Sequence, residues 1–382
     1  MDIKTIKTIE SATEKSLSSF AKLSFSLLFL LAVFLWTYSS HGKVPDNTFL
    51  IIGAIFGAYM ALNIGANDVA NNVGPAVGAR ALTLTGAIII AAIFESAGAI
   101  IAGGDVVNTI KSGIINPNLI TDKNSFIWAM TAGLLAGAVW LNFATSIGAP
   151  VSTTHAIVGG VMGAGIASAG FSILNWGSLA EIASSWVISP LLGGIVAAGF
   201  LYFIKKQIVY KENMIEQAQK FVPILIAIMT WAFTTYLILK GLKQLVNISF
   251  LFASGISLLF AFVAYYITKK SIDKNLSNLS NDRSSVNKLF TPALIFGAAL
   301  LSFAHGANDV SNAIGPLAAI NDAIMHGGTS VKASVPFWIM VVGAIGIVIG
   351  LILYGPRLIK TVGSEITELD QMRAFSVAMA TA

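Results

Sequence analysis

Two Asn-Asp pairs carry the chemistry this sequence offers. Asn67-Asp68 lies within Gly65-Ala66-Asn67-Asp68-Val69-Ala70-Asn71-Asn72-Val73-Gly74-Pro75. Asn308-Asp309 lies within GANDVSNAIGP, Gly306 to Pro316, and eight of the eleven positions are identical between the copies. Each copy follows a long apolar run, so both carboxylates are expected at membrane depth. An Asp there costs roughly 2.5–3.5 kcal/mol even on the lenient insertion scale. A chain carrying that cost twice, at matching positions, is expected to use both acids. Carboxylate, amide and carbonyl oxygens suit a hard cation, and Asn67 and Asn308 can also turn amide donors toward an oxyanion. A doubled Gly, Asn and Pro-rich breaker reads as two structural repeats whose interrupted helices meet near mid-membrane around a solute.

A second constellation is Gly148-Ala149-Pro150-Val151-Ser152-Thr153-Thr154-His155. Pro150 suits the first turn of a helix, and the hydroxyls of Ser152, Thr153 and Thr154 can cap orphan amides. Such a helix start offers N–H donors and partial positive charge to an anion; capping alone is the competing reading. Glu95 stands in an otherwise apolar span. It is read either as an ion or proton group or as a structural hydrogen-bond partner of a neighbouring helix. His155 is read as a capping or packing residue. His305 precedes the second motif where the first has Ile64, so symmetry gives it no support. Asn71 and Asn312 recur in both copies, either closing bonds within a broken helix or touching ligand. Gly65, Gly74, Pro75, Gly306, Gly315 and Pro316 are assigned to backbone shape. Asp105 and Asp122 are expected in a solvated loop.

These residues need a membrane scaffold, and composition supplies one. Of 382 residues, 55% are hydrophobic and 11% charged, against about 25% charged in soluble domains. The 35 glycines fit close helix packing in lipid. With no cysteine, disulfide, thiolate and cysteine-ligated metal chemistry are excluded. A net charge of +5, concentrated in loops, points to membrane ends rather than nucleic acid. The N-terminus lacks the form of a cleaved signal peptide. Apolar length predicts an all-α polytopic membrane protein, crossing at 20–38, 48–64, 83–103, 126–145, 151–171, 179–204, 221–239, 248–268, 292–305 and 337–354, with another helix beginning near 371. The stretches 65–80 and 306–322 are expected as unwound turns or re-entrant pieces.

Placing the N-terminus in the cytoplasm puts 17 of the 23 Lys and Arg residues inside, which favours that orientation of a multi-pass protein in the plasma or inner membrane. Lys43, Lys111, Lys123, Lys240, Lys243 and Lys332 fall outside. Seven crossings then separate the motifs, an odd number, so the repeats should be inverted. The expected organisation is 1–44 (cytoplasmic N-terminus and an extra first helix), 45–210 (first inverted repeat), 211–268 (intervening helices), 269–291 (cytoplasmic loop) and 292–382 (second repeat). Helices 20–38 and 221–268 offer a scaffold and a surface for a homodimer.

GANDVAN-x-x-GP-x-VG, Ala92-Ile93-Phe94-Glu95, PVSTTH-A-I-VGG and the second GANDVSNAIGP together resemble the inorganic phosphate transporter family, the PiT carriers. The resemblance runs from about residue 48 to the end; the helix 20–38 lies outside it. It implies a secondary carrier that takes up phosphate with Na⁺ or H⁺ through inverted repeats joined by a cytoplasmic loop. The family pattern ends in a second Pro-Val-Ser-Thr-Thr-His element, whereas this sequence stops at Ala382 within an apolar helix, so a shortened chain is expected.

Elementary electrostatics fits that implication. Neither motif holds Lys or Arg. A phosphate and two carboxylates would gather three or four negative charges in a low-dielectric place unless cations or protons enter too. Sodium is expected over protons, at Asn67, Asp68, Asn308, Asp309 and Glu95. Asn67, Asp68, Ser152, Thr153, Thr154, Asn308 and Asp309 form the expected substrate shell, with no organic cofactor. Proton-coupled phosphate or sulfate carriage and an ion channel are the alternatives. Phosphate is favoured over sulfate because it brings a proton to a site of two acceptor carboxylates. An intramembrane aspartyl protease would also bury two aspartates, but neither motif has its local pattern, and no enzyme is expected.

Overall fold

The computed structural model describes residues 3–44, 46–105, 113–120, 122–241, 248–276, 279–326 and 335–381. The elements are helical: α1 Ile3–His41, α2 Asn47–Gly78, α3 Leu84–Ala102, α4 Lys123–Ile147, α5 Thr153–Ala169, α6 Trp176–Ile204, α7 Met214–Gly241, α8 Phe250–Asn275, α9 Arg283–Leu289, α10 Thr291–His326, α11 Phe337–Leu353, α12 Gly355–Lys360 and α13 Gln371–Thr381. Among the described residues the sole β pairing is a bridge between Ile115 and Leu174. Eight helices are long and apolar enough to cross a membrane, or nine if the bent pair 337–353 and 355–365 is one span. This is an all-α polytopic membrane protein. Lys111, Lys243 and Lys332, three of the six basic residues expected outside, lie beyond the described residues.

The motif segments do not break. Residues 65–78 continue α2 and 306–322 continue α10, with Pro75 and Pro316 inside the helices. A continuous helix satisfies nearly all its own polar backbone groups, which lipid cannot do. The motif glycines serve packing instead. A Cβ on Gly65 would lie 1.9 Å from the carbonyl oxygen of Ile347, and one on Gly306 would lie 2.0 Å from that of Glu95. Only glycine permits such backbone approach. The breaks fall elsewhere. One is the non-helical 148–152 connection between α4 and α5; the other is a 62° bend after Leu353.

Glycine contacts also fix helix directions. Along α2, Gly53 faces Leu317 and Ile320 while Gly57 faces Ala313 and Leu317, so α2 and α10 run antiparallel. Gly346 meets Ala58 and Ala61, Gly350 meets Leu62 and Ala66, and Gly355 meets Val69; α11 and its continuation therefore run parallel to α2. Gly98 meets Phe303 and Ala307, and Gly103 meets Ala307 and Val310, so α3 runs parallel to α10. Each motif helix thus leans on the helix that follows the other motif.

Around this core the helices turn apolar faces outward. α6 buries only Ile204, and Val187, Leu191, Leu192 and Ile195 are exposed, as expected where lipid is the solvent. The stretch 269–291 holds the end of α8 and the short α9. Asp282 caps α9 by accepting from Ser285 N at 2.7 Å, and Arg283 pairs with Asp370 at 2.6 Å. Asp122 caps α4 by accepting from the Ser125 and Asn124 amides. Those bonds, the Ser125 amide first, hold its carboxyl below the usual carboxylate range.

Candidate functional site

The antiparallel crossing of α2 and α10 brings the two aspartates to one imidazole. His305 Nε2 lies 2.7 Å from Asp309 Oδ2 and 3.6 Å from Asp68 Oδ2. Its Nδ1 lies 3.5 Å from Glu95 Oε2 on α3. Asp68 and Glu95 are buried, while the Asp309 side chain is 21% exposed. Ligand atoms of Asp68, His305 and Asp309 all fall within 4.8 Å of one another. Two like charges 4 Å apart repel by about 4 kcal/mol at an effective dielectric of 20. The cluster therefore demands positive charge, from the imidazole or from a cation. Neither His305 nitrogen nor Glu95 Oε2 makes a well-aligned hydrogen bond, so charge and packing rather than directed bonds relate these groups.

The helix geometry repeats a local bond in each copy. Asn71 donates to Asp68 Oδ1 at 3.3 Å, and Asn312 to Asp309 Oδ1 at 3.5 Å. Residues three apart share a helix face, so each aspartate is steadied by the asparagine one turn on. Asn312 Nδ2 also lies 3.2 Å from Thr153 Oγ1 and 3.2 Å from Thr154 Oγ1. The start of α5 thereby reaches the second motif. Thr153 is buried.

Asn67 does something its twin does not. Its amide donates to Thr145 Oγ1 at 3.0 Å and to Ala149 O at 3.1 Å, and its Oδ1 accepts from Val151 N at 3.0 Å. These three bonds clamp the break between α4 and α5, where Gly148 takes φ 78°. Asn308 is exposed and donates to Tyr236 Oη at 3.3 Å. Beside it a cavity of about 310 Å³ is lined by Asn71, Asn72, Tyr236, His305, Asn308 and Asp309.

Of the residues expected from sequence, Asp68, Asp309, Glu95, Thr153 and Thr154 gather at the crossing. Ser152 Oγ accepts from His155 N at 3.2 Å, so it caps α5, which begins at Thr153 rather than at Pro150. Asn67 is spent on the turn and Asn308 lines the cavity. Glu95 Oε1 accepts from Asn72 at 2.7 Å, a strong local bond as well as a place at the cluster. His155 packs against Trp186 with ring centres 3.9 Å apart and planes tilted by 46°. Sequence reasoning misses His305, because symmetry counts its mismatch with Ile64 against it. The usable signal is that same mismatch: a histidine one turn ahead of a membrane-buried aspartate, at i and i+4, faces it. Asn72 and Tyr236 are missed as well.

Comparison with known proteins bears on the same residues. Residues 64–382 match the phosphate transporter family, a stretch that contains both motifs and the α5 start. A Helicobacter pylori J99 protein named "Putative phosphate permease" is 52% identical over 382 residues, covering 99% of this chain and 72% of that protein. A Haemophilus influenzae protein of the same name is 39% identical over 338 residues, covering 87% of this chain and 80% of its own. Among solved structures, one named "The sodium-dependent phosphate transporter" superposes with a TM-score of 0.80 at 34% identity, over 87% of this chain and 82% of that one.

Proposed function

This chain belongs to the phosphate transporter family, and we propose that it imports inorganic phosphate by symport with Na⁺ at the α2–α10 crossing. Phosphate transport follows from the family; the ion and the site are our reading. The observation that carries the site is the meeting of Asp68 and Asp309, from antiparallel helices, at one imidazole. Antiparallel motif helices, each leaning on the other half's next helix, support inverted repeats, which give one site access to both membrane faces. Sodium takes the hard carboxylate oxygens of Asp68 and Asp309. The Thr153 and Thr154 hydroxyls and the α5 N-terminus then donate to the phosphate oxygens. Cation entry relieves the repulsion that would otherwise exclude the anion. The solved relative's name supports sodium as the coupling ion.

One observation favours a second reading. Glu95, His305 and Asp309 form a chain of titratable groups, the usual furniture of a proton relay. Uptake of labelled phosphate into proteoliposomes separates the two. Sodium symport gives steep, more than first-order dependence on external Na⁺ at fixed pH. Full uptake driven by an inward proton gradient in sodium-free buffer would transfer the coupling to Glu95 and His305. Unlabelled sulfate should compete poorly; strong competition would broaden the substrate to tetrahedral oxyanions.

The basic-residue bias further supports an N-terminus in the cytoplasm. Because no native cysteine interferes, Lys43→Cys should react with an impermeant thiol reagent from outside, and Lys206→Cys only after permeabilisation; the reverse pattern would invert the topology. The exposed apolar faces of α6 and α8 suit lipid or a second copy.

A further inference from the structure

The first helix lies outside residues 64–382, yet it encloses a second polar recess with the core. A cleft of about 540 Å³ runs between α1 and the α2, α4 and α11–α12 segments. At one end it holds Lys22 and Arg357, and no carboxylate lines it. Lys22 Nζ sits 5.9 Å from the Tyr354 ring centre, and Tyr354 Oη is 3.1 Å from Ser26 Oγ. Arg357 donates to Ser146 O at 2.5 Å. That uses one of the five donors of a guanidinium. Among the described residues neither cation has an ion-pair partner. Away from the charged end α1 lines the cleft with Leu27 and Leu30, while α2 adds Leu62, Tyr59 and Asn63 and α4 adds Asn142, whose amide is bonded to Asn63. Leu30 is eight residues beyond Lys22, about 12 Å along a helix.

We propose that this cleft binds one anionic phospholipid, with its phosphate at Lys22 and Arg357 and an acyl chain along Leu27 and Leu30. Charge decides the headgroup: two cations without a counter-ion, flanked by hydroxyls, match a phosphodiester and not a zwitterion carrying its own ammonium. Depth decides between lipid and free phosphate. Lys22 stands one turn into the span Ser18–His41, within a side chain's reach of a lipid headgroup, and Arg357 follows the bend after Leu353. A basic pocket between membrane helices at that level is the recognised form of a lipid-headgroup site. Free phosphate would have no use for the apolar half of the cleft. The lipid also gives α1 a reason to stay docked, because it joins the helix to the bend at Tyr354 through a shared anion.

The test uses the full chain, purified and delipidated in neutral detergent, with phosphatidylglycerol, phosphatidylcholine or inorganic phosphate added. Phosphatidylglycerol should remain bound in native mass spectrometry and raise the melting temperature, while phosphatidylcholine should do neither. Lys22→Gln should weaken the apparent affinity for phosphatidylglycerol about fivefold, the change expected for one interfacial cation. Lys22→Arg should restore it. Arg357 also braces the α4–α5 break, so Lys22 carries the test. Equal retention of phosphatidylglycerol by wild type and Lys22→Gln would overturn the proposal. So would equal binding of the zwitterionic lipid. Stabilisation by inorganic phosphate that Lys22→Gln abolishes would make the cleft a free-phosphate site instead.

Discussion

The two motif helices share a backbone and differ in chemistry. Leu62 and Gly65 on α2 meet Gly350 and Ile347; at the corresponding places on α10, Phe303 and Gly306 meet Gly98 and Glu95. Both of these close contacts recur in the two halves. The polar groups do not. His305, Asn72 and Glu95 correspond to Ile64, Ala313 and Ile347, polar against apolar at all three places. Those three polar residues touch one another, Asn72 to Glu95 at 2.7 Å and Glu95 to His305 at 3.5 Å. Repetition therefore builds the crossing, and departures from repetition concentrate on one side of it. A scaffold can be symmetric because helix packing depends on shape. A cluster of charges cannot be doubled as cheaply, since each added buried carboxylate needs its own compensation.

The strongest test asks whether the repeated aspartates act as a pair. Asp68→Asn and Asp309→Asn should each cut sodium-driven phosphate uptake roughly 100-fold, the scale of removing one member of a buried charged group. Both variants should remain folded, because an amide keeps the shape and the bond to Asn71 or Asn312. Near-wild-type uptake by either variant would break the pairing and leave the other aspartate to work alone.

A second test removes the asymmetry. His305→Ile makes the second motif match the first at this position, and Glu95→Gln removes the facing charge while keeping an acceptor for Asn72. Each should lower uptake about tenfold, less than the aspartate changes, because the groups act on the carboxylates from one side. The cation dependence is the readout that distinguishes charge from shape. His305→Ile should change the Na⁺ concentration that gives half-maximal uptake, because the imidazole sits against both carboxylates. An unchanged Na⁺ dependence would reduce His305 to a packing residue.

A third test addresses the shared backbone. Gly65→Ala and Gly306→Ala each place a methyl about 2 Å from a carbonyl oxygen, so helices must separate. Each should destabilise the protein by about 3 kcal/mol, the upper end for overpacking, seen as a fall in melting temperature in detergent. The two losses should be alike. If one were tolerated, the contacts would differ more than their geometry indicates.

Much of the fold is legible in the residues themselves. The apolar runs foretell the helices, and the doubled motif foretells that Asp68 and Asp309 belong together. Two features escape the sequence, for physical reasons. Gly, Asn and Pro suggest breaks because they disfavour isolated helices. In lipid the backbone has no other donor or acceptor, and a neighbouring helix can use the missing side chain as room. The second feature is His305. Symmetry marks residues that recur, and a group supplied once for two carboxylates recurs nowhere. Residues that matter through difference need the partner across the crossing, Glu95, to be seen beside them.

The smallest expected effect separates the two asparagines. Asn67 is buried and holds three bonds across the 148–152 break, whereas Asn308 is exposed and makes one bond, to Tyr236. At about 1 kcal/mol per net hydrogen bond, Asn67→Ala should cost about 2–3 kcal/mol of stability and Asn308→Ala about 1 kcal/mol or less. The order matters more than the sizes. Losing Asn67 leaves Val151 N and Ala149 O without their partner in a region where water is scarce, so the start of α5 should loosen along with the whole protein. Faster cleavage near residue 150 by an added protease would show that loosening directly. Losing Asn308 changes a group at the cavity wall, and its effect should fall on the affinity for phosphate rather than on melting temperature. Equal melting temperatures for the two variants, with equal protease resistance at 148–152, would mean that Asn67 does not clamp the break. The two asparagines would then be as alike in role as they are in sequence.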